Sequence, residues 1–149
     1  MTVQKQNHLP TKVQSSEYQL NEQVGYKLRL ASQWHLEIFS RHLPEMTPTQ
    51  FSILVRLSEV GEMSQNKLGR LVAMDAATTK GVITRLIQRG LVRSRQDNED
   101  KRRLQISLTD HGKKELNIAT AKAKDITKET TERLTEREVA RLLTLLDKL

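Results

Sequence analysis

The chain has 149 residues, of which 36% are hydrophobic and 3% aromatic. That suits one ordinary domain, alone or with an appended helical arm, on a Leu, Ile, Val and Ala core that a second copy helps to complete. Zero cysteines exclude disulfides and thiolate metal sites; no apolar run approaches the roughly 20 residues of a membrane span and the N-terminus lacks a signal-peptide pattern, so a cytoplasmic protein without membrane partners is expected. The formal charge of +7 and the pI near 9.9 favour nucleic acid over acidic protein partners.

Residues 1–18 are polar and unpatterned and read as a flexible arm. From Gln19 to Leu43 a helical period runs through Leu20, Val24, Leu28, Ala31, His35, Ile38 and Phe39, and Pro44 closes it. Thr47-Pro48 predicts an N-cap followed by proline at the first helical position, with Phe51, Ile53, Leu54 and Leu57 as the buried stripe and Gly61 as the break. Ser64 caps a short third helix through Val72, with Leu68, Leu71 and Val72 inward. Ala73-Met74 makes a tight corner, Asp75 caps a fourth helix to Arg89, and Gly90 ends it. Two short helices joined by a tight turn form a helix-turn-helix.

The next stretch predicts a hairpin. Strands at Leu91 to Arg95 and Leu104 to Leu108 place Leu91, Leu104, Ile106 and Leu108 at alternate positions, around a tip with Asp97, Asn98, Glu99 and Asp100. Residues 80–103 hold eight Lys/Arg against three Asp/Glu, a local excess of five, so most of the +7 charge lies here. Thr109 or Asp110 then caps a helix from about Gly112 to Arg133, and Thr135 with Glu138 forms a capping box for a last helix ending near Leu149. The expected fold is mainly α, a winged helix-turn-helix in the order α-α-α-α-β-β-α-α. Residues 46–111 would bind DNA, and residues 19–45 with 112–149 would form a helical dimerisation region. The last helix carries Val139, Leu142, Leu143, Leu145, Leu146 and Leu149, too many apolar side chains for one-sided packing.

On the fourth helix, Thr79, Val82, Ile83 and Leu86 face inward. Ala77, Thr78, Lys80, Gly81, Thr84, Arg85 and Gln88 point away. Small and hydroxylated residues near its start let a helix approach the major-groove floor, Lys and Arg farther along reach guanine or phosphate, and the helix N-terminus adds backbone donors. The Lys/Arg-rich hairpin that follows favours DNA over a merely solvated face.

Gly90-Leu91-Val92, Asp100-Lys101-Arg102-Arg103, Leu108-Thr109 and Gly112, with Met46-Thr47-Pro48 and Gln50-Phe51 before them, resemble the winged-helix signature of the MarR family of bacterial transcriptional regulators. The resemblance runs from about Leu20 to the C-terminus. It implies a homodimer built by helices from both chain ends, bound to a double-stranded pseudo-palindromic operator and repressing until a small molecule releases it. It also implies that Arg102 is the wing arginine entering the minor groove and Asp100 its orienting carboxylate. A narrow A/T-rich groove concentrates the negative potential that such an arginine seeks. Arg93, Arg95 and Arg103 are expected on phosphates, as contacts that position without reading sequence.

Arg29, Trp34, His35, Arg41 and His42 cluster on the first helix. The resemblance implies a pocket between the dimer helices and the winged domain, and these residues suit a small aromatic carboxylate, the acid paired by arginine or histidine and the ring stacked on Trp34. Trp34 also fits as a core or interface anchor, and His35 as a hydrogen-bonded buried histidine. His35 and His42 lie seven residues apart on one face, but without cysteine or HExxH-type spacing no metal is assigned, and no cofactor. Lacking a glycine-rich phosphate loop, a G-x-S-x-G motif and a cysteine nucleophile, the chain is not expected to be an enzyme. The alternative is a winged-helix protein that coats DNA, or binds RNA, without a ligand.

Overall fold

The computed structural model describes residues 18–149, so the expected arm at residues 1–18 lies, apart from Tyr18, outside the described residues. The elements are α1 (Val24–His42), α2 (Pro48–Val60), β1 (Met63–Ser64), α3 (Gln65–Leu71), α4 (Ala76–Gln88), β2 (Val92–Gln96), β3 (Leu104–Leu108), α5 (Asp110–Thr130) and α6 (Glu136–Leu146). Local capping chemistry sets most boundaries. Thr47 and Thr135 close capping boxes with Gln50 and Glu138, while Ser64, Asp75 and Thr109 each accept a backbone N–H three residues on. Gly61 and Gly90 sit at φ 83° and 69° beyond α2 and α4, and Ala73 takes φ 53° in the corner between α3 and α4.

Several expectations need correction. The first helix does not begin near Gln19: Leu20–Glu22 forms a single 3₁₀ turn and the extended backbone of Gln23 separates it from α1. The expected order lacks a strand, because Met63 and Ser64 pair with Ile106 and Gln105, giving an antiparallel sheet ordered β1-β3-β2. The first wing strand starts one residue late, leaving Leu91 buried just ahead of it. Leu71 is exposed, since the short α3 ends there and Val72 turns onto the core instead. Leu104 is exposed too, paired with Gln96 at the distal end of the wing. The fifth helix stops at Thr130 rather than Arg133, and the sixth at Leu146.

The core lies between α1, α2, α4, α5 and the wing base, around Ile38, Ile53, Leu54, Leu86, Ile106 and Ile126. It leaves two apolar surfaces uncovered. Nothing on α6 is buried, with Leu143 59% exposed and Leu149 beyond its end 84% exposed, and the N-terminal half of α1 presents Val24, Leu28, Leu30 and Trp34 to solvent.

Two glycines permit close approaches. A Cβ on Gly69 would stand 2.7 Å from Thr79 Oγ1, where α3 crosses α4. One on Gly112 would stand 1.9 Å from the Leu91 carbonyl oxygen, where α5 abuts the wing base. Gly112→Ala is therefore expected to destabilise the fold by about 3 kcal/mol or more, at or beyond the upper end of ordinary overpacking. A urea titration giving an unchanged midpoint would show that this contact carries no strain.

Candidate nucleic-acid interface

The fourth helix is held at its start by one carboxylate. Asp75 Oδ1 accepts the Thr78 N–H at 2.8 Å, its Oδ2 accepts the Thr78 hydroxyl at 2.8 Å, and the buried Thr79 hydroxyl donates to the Asp75 carbonyl at 2.7 Å. The Thr78 backbone N–H and then its hydroxyl hold Asp75 below the usual carboxylate range. The helix N-terminus is thus occupied by the protein's own anion, and the Thr78 donor expected for phosphate is already taken. Thr79, Val82, Ile83 and Leu86 are buried as expected, while Ala77, Thr78, Lys80, Thr84, Arg85 and Gln88 form an exposed face with Gly81 at its centre. Thr84 donates to the Lys80 carbonyl at 2.9 Å. Both threonine hydroxyls therefore spend their protons within the helix and keep only acceptor capacity for a partner.

Asp97 organises the wing tip. Its Oδ1 accepts the Glu99 and Asp100 N–H groups at 2.8 and 3.1 Å, its Oδ2 accepts the Gln105 side-chain amide, and its own N–H donates to the Arg103 carbonyl at 3.0 Å. The Gln105 hydrogen bond is the main cause that holds its carboxyl below the usual range, followed by the two backbone donors. Asp100 accepts the Arg102 N–H at 3.0 Å and Arg102 Nε at 3.2 Å, and stands 3.4 Å from Arg103 Nε. The Arg102 side chain nevertheless remains 92% exposed, so it projects from the tip with its direction set by Asp100.

The other wing arginines are engaged. Arg95 is chelated by Glu62, with Nε 3.1 Å from each carboxylate oxygen and Nη2 also bonded, and this pairing raises its pKa. Arg93 Nε donates to Ser107 Oγ at 3.1 Å. Neither Asp97 nor Glu62 was singled out from sequence as a site residue. Asp97 carried a signal, its turn position, whereas Glu62 lies 33 residues from Arg95 and carried none.

The five effector candidates divide between two faces of α1. Arg29 stacks over the Tyr26 ring at 5.3 Å and reaches Gln33 at 3.4 Å, and Trp34 is 42% exposed. His35 turns inward, with Nδ1 3.0 Å from Thr130 Oγ1 and its ring tilted against Phe39. Arg41 and His42 both bind Glu129 of α5 at 2.8 Å, and His42 is the leading cause of the lowered Glu129 pKa. One protomer does not gather the five into a single pocket. It has instead a groove of about 530 Å³ beside Arg29, Gln33 and Leu36. A second groove, of about 830 Å³, leads from Leu36 and Ser40 to Gln50, Arg85 and Arg89.

Residues 46–104 match the model of the MarR family. The HTH-type transcriptional repressor NicR of Pseudomonas putida is 35% identical over 134 residues, which span 89% of this chain and 85% of NicR. The chain belongs to the MarR family. It is a DNA-binding winged-helix transcriptional regulator, and it is similar to solved structures over most of its length. A probable transcriptional regulator from Pseudomonas aeruginosa is 43% identical with a TM-score of 0.84, covering 87% of this chain and 98% of that one. BpsR of Bordetella bronchiseptica, whose DNA binding is regulated by 6-hydroxynicotinic acid, is 34% identical with a TM-score of 0.84, covering 88% and 95%. No helix among the described residues is long and apolar enough to cross a membrane.

In this MarR-family chain the packing around Gly81 does not call for a glycine. A glycine in mid-helix costs roughly 0.5–1 kcal/mol against alanine, yet a Cβ there would meet only Arg85 Nη2, at 3.8 Å. Nothing within the protomer requires glycine here, and its open side lies on the face expected to meet DNA. Gly81→Ala is expected to stabilise the protein by about 0.5–1 kcal/mol while weakening DNA binding, as read by thermal melts and fluorescence anisotropy; stabilisation with full affinity would separate this glycine from the interface.

The wing tip has its own pH signature. A carboxylate with a depressed folded pKa contributes stability that is fully present above its unfolded value, about 3.9, and lost as pH falls through the lower folded one. Asp97 therefore keeps the tip ordered at neutral pH, and loosening is expected only in acid below that value. Asp97→Ala is expected to remove amide-exchange protection at Glu99 and Asp100 at neutral pH and to weaken DNA binding with little change in melting temperature. Retained protection would show that the hairpin holds its tip without this carboxylate.

Proposed function

We propose that the protein is a homodimeric repressor that grips a pseudo-palindromic operator and is released by a small aromatic or heteroaromatic acid. The observation that carries the dimer is the pair of apolar surfaces, on α6 and on the N-terminal half of α1, that the protomer leaves bare. A two-fold partner buries such surfaces isologously and sets two recognition helices about 34–36 Å apart, one turn of DNA. Thr78, Lys80, Gly81, Thr84 and Arg85 then face successive base edges and Arg102 the minor groove, while Arg93 and Arg103 lie beside the backbone. Arg95 reaches a phosphate only in competition with Glu62.

The acid is supported by the chemistry of α1 and by the kinship to BpsR, which 6-hydroxynicotinic acid regulates. Arg29 and Trp34 lie on the face of α1 that the proposed partner covers, and His35 on the face against its own α5. A pocket using all three is composite, shared between protomers, with the carboxylate on Arg29 and the ring on Trp34. Release requires the acid to bind the DNA-incompetent arrangement more tightly than the competent one.

The test is fluorescence anisotropy on DNA from upstream of the protein's own gene against scrambled DNA, with and without hydroxynicotinates, benzoates and hydroxycinnamates. A preference of about 10³-fold or more, abolished by one acid, is the expected outcome. Equal affinity for both DNAs would instead mark a coating protein. Leu142→Glu with Leu146→Glu is expected to dissociate or unfold the protein in analytical ultracentrifugation, and a folded, DNA-binding monomer would overturn the dimer. Arg102→Ala is expected to lower operator affinity about tenfold with the dimer intact, within the range for a groove-reading arginine.

A further inference from the structure

We infer that the cleft between α3 and the wing seats one backbone phosphate of duplex DNA, gripped by Arg70 from one side and by Arg103 from the other, with Arg102 left to the groove beyond it. This rests on the DNA-binding reading and adds residues that it does not assign. The cleft has a volume of about 280 Å³ and brings Gln65, Asn66 and Arg70 of α3 opposite the two wing arginines. Its charge is unbalanced. Of the three guanidiniums, Arg102 and Arg103 share Asp100 at 3.2 and 3.4 Å and Arg103 also lies in the field of Asp97, whereas Arg70 makes no ion pair among the described residues. Positive charge is left for a ligand, and a phosphodiester offers the oxygens that guanidinium forks and the Gln65 and Asn66 amides can bind.

Position decides which anion. The same side of α3, through Asn66 and Arg70, also borders a hollow shared with Ala76 and Thr79 at the start of α4. Arg70 therefore lies between the helix that would enter the major groove and the hairpin that would enter the minor groove. A strand running from one groove to the other passes over this residue, as the first helix of a helix-turn-helix crosses the backbone. A phosphate held from both sides also joins α3 to a hairpin tip that otherwise stands off the body. Arg70 and Arg103 are then coupled through the DNA rather than through each other.

The experiment compares wild type, Arg70→Gln, Arg70→Lys, Arg103→Gln and the Arg70→Gln/Arg103→Gln double variant on operator-containing and scrambled duplexes over a salt series, with thermal melts as a fold check. Arg70→Gln is expected to weaken both duplexes by the same factor, about tenfold, and to reduce the slope of log affinity against log salt by about one, since a phosphate contact carries no sequence information. Arg70→Lys is expected to recover most of the slope, and the double variant to lose less than the product of the single losses. Unchanged affinity and slope in a folded Arg70→Gln, or a loss confined to the operator, would overturn the seat while leaving DNA binding standing. Absence of DNA binding by the wild type would overturn both.

Discussion

Beside the shared core, the parts that would read DNA and the part that would pair two chains are locked together at the Gly90–Leu91 carbonyls, against Thr109 and Gly112. The Thr109 hydroxyl donates to the Gly90 carbonyl and accepts the Gly112 N–H at 2.9 Å, and the Thr109 N–H donates to the Leu91 carbonyl at 3.1 Å. One residue therefore ties off the recognition helix, closes the wing and starts α5. Leu91 is buried beneath it and its own N–H reaches back to the Leu86 carbonyl at 3.0 Å. Because Gly112 lets α5 sit directly on the Leu91 carbonyl, there is no compliant side chain at this contact to absorb a tilt of α5. A rotation of the long helix has to move the wing base or the end of α4 with it, and packed contacts of this kind switch between arrangements rather than deform smoothly.

The basic surface is less available than its count implies. Of the eight cations between Lys80 and Arg103, Arg95 is chelated by Glu62, Arg93 leans on Ser107, and Arg102 and Arg103 share Asp100. These links are exposed, so each contributes little to stability. Their effect is orientation. A guanidinium already held in one direction loses less side-chain freedom when it meets a phosphate or a narrow groove, which raises specificity relative to what the same charge on a free lysine would give.

Much of this architecture was legible in the residues because its signals are local. Thr47, Ser64, Asp75, Thr109 and Thr135 cap their helices through hydrogen bonds spanning three residues, and a reader of the sequence sees both partners at once. Gly90 and the wing tip are similar. What was illegible is long-range. β1 exists only because Met63 and Ser64 find Ile106 and Gln105 across the chain, and two residues carry no period of their own. Arg41 and His42 looked free for a ligand because Glu129 stands 88 and 87 residues away from them. The α1 stripe overran its helix because apolar spacing continues through Leu20, while the break depends on the extended backbone at Gln23.

The α1 stripe also shows why a correct pattern leads to two different burials. Ile38 and Phe39 at its C-terminal end enter the protomer core, whereas Val24 and Leu28 at its N-terminal end stay in water. Periodicity reports that a face is apolar and is silent on which chain covers it. The effector candidates inherit the same division, with Arg29 and Trp34 on the uncovered face and His35 against α5. In the proposed dimer, the surface that would pair the chains and the surface that would hold the acid are thus largely one surface. An acid seated there would act first on how the helices of two protomers pack. It would reach the recognition helices through α5 and the close contact at Gly112, with no need to occupy the DNA face to change what that face can bind.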